Sequence, residues 1–189
     1  GAHAKVISAH SFGDQEIPVE GAKVRVVDLE RELVAESSNQ FSDSDFLPAS
    51  SFLLEAEAKG HWPSLHLGQS AAENVIRLFS NSLMDGFFEF FLEPRQIEQA
   101  KQLGVIWGQV THKGKPVEGA QVELASEHFS KPIYFQSHFP NPQLTATGPH
   151  GRFAFVMLRP GLHSVRATFN GRRFPAKVLP VERHYVSYA

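Results

Sequence analysis

The sequence predicts an all-β protein of two small β-sandwich modules joined by a short helix. Three observations carry this. First, Pro18–Val24 (PVEGAKV) recurs as Pro116–Val122 (PVEGAQV), with six of seven positions identical at an offset of 98 residues. Second, each copy opens an alternating segment. Ala22, Val24 and Val26 share one face opposite Lys23 and Arg25, and Ala120, Val122 and Leu124 share one face opposite Gln121 and Glu123. That is the period of a half-buried strand. Third, short apolar segments of this kind recur along the chain with turn residues between them, as a sandwich requires.

The remaining elements follow in order. Strands are expected at Ala4–Ala9, Glu32–Glu36, Asn74–Ser80, Val105–Thr111, Pro132–Ser137, Gly151–Leu158 and Val181–Tyr188. A second correspondence links Phe52–Pro63 (FLLEAEAKGHWP) with His163–Pro175 (HSVRATFNGRRFP). Each reads as a strand, a glycine turn at Gly60 or Gly171, an aromatic and a proline. The unbroken apolar run Phe153–Leu158 suits a central strand covered on both faces. Pro94–Leu103 alone reads as a helix, with proline in its first turn and Gly104 to stop it. Phe87-Phe88-Glu89-Phe90-Phe91-Leu92, read as extended, is expected to be buried between the modules and to fix their orientation. The expected division is a diverged module at 1–80, an apolar connector and short helix at 81–103, and a second module at 104–189.

Composition excludes several classes. The chain has 189 residues and no cysteine, so disulfide scaffolds, thiolate zinc sites and thiol nucleophiles are out. No apolar run is long enough to span a membrane as a helix. The net charge is -2 but is unevenly spread. Residues 1–103 carry 8 Lys and Arg against 16 Asp and Glu, and residues 104–189 carry 10 against 4. Such polarity suggests mutual docking or a different partner for each half. The start at Gly1-Ala2-His3, without methionine, reads as a trimmed or engineered start and suggests a missing upstream segment.

The second half resembles a carboxypeptidase-regulatory-like domain of the transthyretin-like (prealbumin-like) superfamily. The resemblance rests on Gly108, then Gly114-Lys115-Pro116-Val117-Glu118-Gly119-Ala120-Gln121-Val122. It continues through Thr147-Gly148-Pro149-His150-Gly151-Arg152-Phe153-Ala154-Phe155 and Leu158-Arg159-Pro160-Gly161. Gly148 stands where the family has aspartate. The first half shares PVEGAKV and Phe46-Leu47-Pro48-Ala49, with the polar stretch Ser37–Asp45 in place of the T-D-x-x-G-x-F pattern. The resemblance implies two tandem transthyretin-like, Ig-like sandwiches. It implies an appendage rather than an enzyme, because these modules accompany catalytic domains. The chain end His184-Tyr185-Val186-Ser187-Tyr188-Ala189 lacks the Tyr-Arg-Gly-Ser ending of the 5-hydroxyisourate hydrolases in that superfamily.

No catalytic or metal motif is present. There is no H-E-x-x-H and no G-x-S-x-G. The histidines, including His61, His66, His128 and His138, read as solvated surface residues rather than metal ligands. Asp43-Ser44-Asp45 reads as a capped turn, since it lacks an EF-hand's glycine and distal glutamate. The expectation is a non-enzyme without cofactor or metal: a structural or binding module of a secreted, periplasmic or cell-surface bacterial protein. Its expected partners are a protein or an envelope polysaccharide or polyanion, and not nucleic acid.

Candidate ligand-binding residues fall into two sets. Trp62, Tyr134 and Phe174 are aromatics near turns, which would stack on sugars if exposed; Phe135 and Phe139 lie beside Tyr134. A carbohydrate-binding module is therefore the alternative reading. Arg166, Arg172, Arg173 and Lys177 form a late basic group with Arg159 and Arg183, suited to an anion.

Overall fold

A computed structural model describes residues 1–11, 15–43, 51–70, 72–125 and 131–189. The chain is mostly β and divides into two compact units, residues 1–84 with Tyr188 and residues 85–187 with Ala189.

In the first unit β1 (Ala2–Ser8) pairs antiparallel with β5 (Gln40–Asp43) and parallel with β9 (Glu73–Ser80). A second sheet joins β2 (Lys23–Val26) to β3 (Arg31–Glu32) and β6 (Ser51–Glu57), and β6 to β8 (Ser64–Gln69). The short strands β4 (Val34–Ala35) and β7 (His61–Trp62) extend the first sheet at its two ends. Both sheets contribute to one apolar core, including Val6, Ile76 and Leu78 from one and Val24, Val26 and Leu54 from the other. This is a sandwich arrangement, and its inward positions are those the alternation marked.

The second unit opens with the residues of α1 (Asn81–Phe91) from Asp85 onward and with α2 (Pro94–Lys101). Helix α2 carries the expected proline in its first turn and a capping box between Glu93 and Gln96. One sheet runs β15 (Phe139–Pro140), β14 (Ile133–Gln136), β16 (Arg152–Leu158), β10 (Gly104–Gln109) and β20 (Val186–Tyr188). The other joins β13 (Gln121–Leu124) to β17 (Gly161–Phe169), with β18 (Arg172–Arg173) and β19 (Lys177–Val181) on the far edge of β17. A small hairpin, β11 (Thr111–His112) and β12 (Lys115–Pro116), links the two sheets in sequence.

The two copies of the repeated sequence share local geometry. Gly21 and Gly119 both take positive φ, at 74° and 87°. A positive φ there favours glycine before the strand begins. The amides of Val19 and Val117 donate to the carbonyls of Val6 and Val110. Val24 lies opposite Ala56, and Val122 opposite Ala167, each in an antiparallel pair. Strand order also agrees: β5-β1-β9 in one unit matches β16-β10-β20 in the other, and β2-β6-β8 matches β13-β17-β19.

Several expectations need correction. Phe87–Leu92 is not extended. Phe87 to Phe91 lie on α1, a second helix that the reading of one helix missed. Ser80 caps it, its hydroxyl accepting from the Leu83 amide at 3.1 Å. Met84, Phe87, Phe88 and Phe91 fall at helical spacing, and the first three are buried. Phe90, which alternation placed beside Phe88, is 56% exposed. Within the second unit Phe87 packs on Trp107 and stacks on Phe135, with ring centres 4.7 and 5.9 Å away. That cluster lies over one face of β10, β16 and β14, so β16 is apolar on both sides and Phe153, Ala154 and Phe155 are all buried. The strand expected over Val181–Tyr188 is broken into β19 and β20 by a turn with His184 at φ 62°. Glu32–Glu36 holds the end of β3 and the whole of β4, two short strands rather than one. Phe46–Ala49, Ser44, Asp45 and His128 lie outside the described residues.

Candidate functional site

A candidate site lies in the second unit, between two hairpin tips. In the first hairpin Lys113 and Gly114 have φ 53° and 76°, and in the second Asn170 and Gly171 have φ 49° and 73°. Two consecutive residues at positive φ make the turn whose twist matches a two-residue hairpin. The first turn presents His112 and the second presents Arg172, Arg173 and Phe174. Beyond Arg173 the Phe174 amide still bonds the Ala167 carbonyl, at 2.9 Å. Pro175 has no amide to donate, so the strand breaks there and resumes at Lys177 opposite Val165.

These elements border a cleft of about 550 Å³. Its floor is apolar and drawn from both sheets: Val110, Val122, Phe153, Val165 and Ala167. Its rim is basic, with Arg172, Arg173 and Lys177 all exposed. The Phe174 ring stacks on His112, centres 5.9 Å apart and planes 9° from parallel, and so props one wall. None of the three rim cations has a side-chain hydrogen bond or ion pair among the described residues. An apolar floor under free cations suits a partner that offers an apolar group flanked by negative charge.

The other expected site residues divide. Phe174 joins the rim, half-buried. Trp62 and Tyr134 do not stand at open loop tips: they are 1% and 4% exposed. In the first unit β7 turns away from β6 to pair with β9, with Trp62 opposite Phe79, and the indole enters the core. The Tyr134 hydroxyl accepts the Val122 amide at 2.9 Å and ties β14 to the edge of β13, while burial pushes its pKa up. Neither ring presents a face to a sugar. Phe135 is buried with Trp107, and Phe139, although 71% exposed, stands apart from Phe174 on β15. Arg166 lies on the outer face of β17, opposite Glu123, and is not among the cleft residues. His112 and the floor residues were missed. The pair of glycine turns was the available signal, because the His112 and Phe174 rings beside the two hairpin tips meet.

Gly148, at the aspartate position of the resembled pattern, has a structural reason. A Cβ there would meet the Phe135 carbonyl oxygen at 2.2 Å. Thr147 does the holding instead, its hydroxyl accepting the Ala120 amide and donating to the Val117 carbonyl, at 2.9 and 2.7 Å. Asp43 is bound by Arg31 through both carboxylate oxygens, a structural ion pair. No group of three or more His, Cys, Asp or Glu poised for a metal occurs among the described residues. No helix among them is long and apolar enough to cross a membrane.

No protein-family model matches the chain, and no curated protein matches it in sequence. Among solved structures it is similar to GBS52, the minor pilin of the Gram-positive pathogen Streptococcus agalactiae. Identity is 11% and the TM-score 0.31, over 100% of this chain and 94% of that one. It is also similar to the Bacillus anthracis TIE protein, at 10% identity and a TM-score of 0.28. That match covers 100% of this chain but 33% of that one.

Proposed function

We propose that the chain is a non-catalytic binding module of an extracytoplasmic protein, built as two tandem transthyretin-like sandwiches joined through helix α2. Its second sandwich binds an acidic partner, either a protein segment or an envelope polymer, at the Arg172–Arg173–Lys177 cleft. One observation carries this reading: three unpaired cations, two on β18 and one at the start of β19, border an apolar floor. Arg159 and Arg183 are exposed cations of the same unit that do not line this cleft. The matched register of the PVEGA copies supports tandem modules of one kind.

The test is binding of fluorescent poly-glutamate by anisotropy. Binding should weaken steeply with salt, since exposed charges are screened beyond about 8 Å at physiological ionic strength. Arg172→Glu with Arg173→Glu should abolish it, and Arg159→Glu with Arg183→Glu should leave it within about twofold. Binding that survives in the first double variant would refute the assignment.

A further inference from the structure

The first unit carries the complement of this cleft. Strands β2 and β3 are joined by Val27–Glu30, a tight 3-10 turn closed by Glu30 at φ 50°. At its tip Leu29 is 58% exposed, an apolar side chain held out in solvent. Asp28 and Glu30 flank it and Glu32 follows, all three exposed. The neighbouring cations are already engaged. Arg31 is paired with Asp43, and Arg25 with Glu55 at 2.8 Å. Asp28, Glu30 and Glu32 have no side-chain hydrogen bond or ion pair among the described residues. The tip is thus one apolar knob with three free carboxylates, and the cleft is one apolar hollow with three free cations.

We propose that the cleft of one copy receives the Asp28–Leu29–Glu30 tip of a second copy, so that chains associate head to tail. This rests on the reading of the cleft as a site for an acidic partner, and it names that partner. Charge complementarity chooses the occupant: the half of the chain holding the tip is acidic and the half holding the cleft is basic. The surfaces differ, so the contact is heterologous. Each added copy brings a free tip and a free cleft, and the assembly grows unless its rotation closes a ring. A single knob with a few ion pairs is a small interface, so association is weak and needs high local concentration.

Sedimentation velocity of the full chain provides the test. At about 50 mM salt the mean mass should rise with concentration, and at about 500 mM salt, where the Debye length shrinks several-fold, it should fall back to monomer. A tip-reversed variant (Asp28→Lys with Glu30→Lys) and a rim-reversed variant (Arg172→Glu with Arg173→Glu) should each stay monomeric. Mixed together, the native tip of one fits the native cleft of the other and the reversed tip fits the reversed cleft, so the two should co-assemble in equal amounts and grow by alternation. The chain bearing all four changes should associate again, which also shows that the variants fold. Growth of the tip-reversed variant like the native chain would overturn the proposal, as would a mixture that stays monomeric. A native chain that is monomeric at low salt yet binds poly-glutamate through its rim would overturn the self-association alone. If poly-glutamate binding also fails, the acidic-partner reading falls with it.

Discussion

Thr147→Val tests how the second copy of the repeated turn is held. Valine matches threonine in shape, so the change leaves no cavity and removes one oxygen. Thr147 is 3% exposed, and its hydroxyl serves both the Ala120 amide and the Val117 carbonyl. A buried polar group left without its partner costs about 1–3 kcal/mol, and a carbonyl sits toward the lower end because it has two lone pairs. Losing both should destabilise the second unit by about 2–4 kcal/mol. For a unit of this size each kcal/mol shifts the melting temperature by about 4–8 °C, giving a fall of about 10–25 °C. Thr147→Ser keeps the oxygen and drops one methyl, so it should cost only about 1 kcal/mol. Urea titration gives the energies, and hydrogen exchange at the Ala120 amide reports the site directly. If Thr147→Val stays within about 0.5 kcal/mol of native, or Ala120 remains as protected as before, the hydroxyl is not what holds the turn.

Two further perturbations separate related readings. Phe88→Ala, at a fully buried ring, should cost about 3–5 kcal/mol by urea titration, while Phe90→Ala should fall within about 0.5 kcal/mol; equal costs would refute the helical reading of α1. Loss of ring hydration, with Arg152 and His150 adding like charge, holds His138 below the ordinary histidine value. The folded state therefore favours the neutral ring, so this contribution is present above the unfolded pKa of about 6.5 and is lost as pH falls toward the lowered folded value. The native melting temperature should drop more steeply between pH 7.5 and 5.5 than that of His138→Gln, and parallel slopes would count against the effect.

Much of the strand framework was legible because each strand buries one face, and a period of two leaves its mark on the residues. Val24, Val26, Val122 and Leu124 were placed inward from alternation alone. The aromatic helix was legible too but was misread. Phe87, Phe88, Phe90 and Phe91 suit either period as a short run, and only with Met84 and the Ser80 cap does helical spacing win. The basic residues of the cleft could be named from composition, yet the cleft itself could not. It depends on residues as far apart as Val110 and Lys177, joined through strand pairings that local pattern does not encode. Trp62 and Phe174 occupy matching sequence positions, and no local signal separates the buried ring from the half-open one. The difference lies in which strand each following segment pairs with.

That divergence after the shared glycine turn has a consequence for how the protein can change. In the first unit Trp62 is a keystone, and a substitution there is selected through folding before anything else. In the second unit the stretch Arg172 to Lys177 has no such duty: five of its six residues are solvent-facing, and the Phe174 ring stacks on His112. One hairpin is masonry and the other a tongue free to acquire new taste. Variation in this segment should alter what the chain holds without altering whether it stands. Related chains should therefore differ most at 172–177 and least at the position of Trp62.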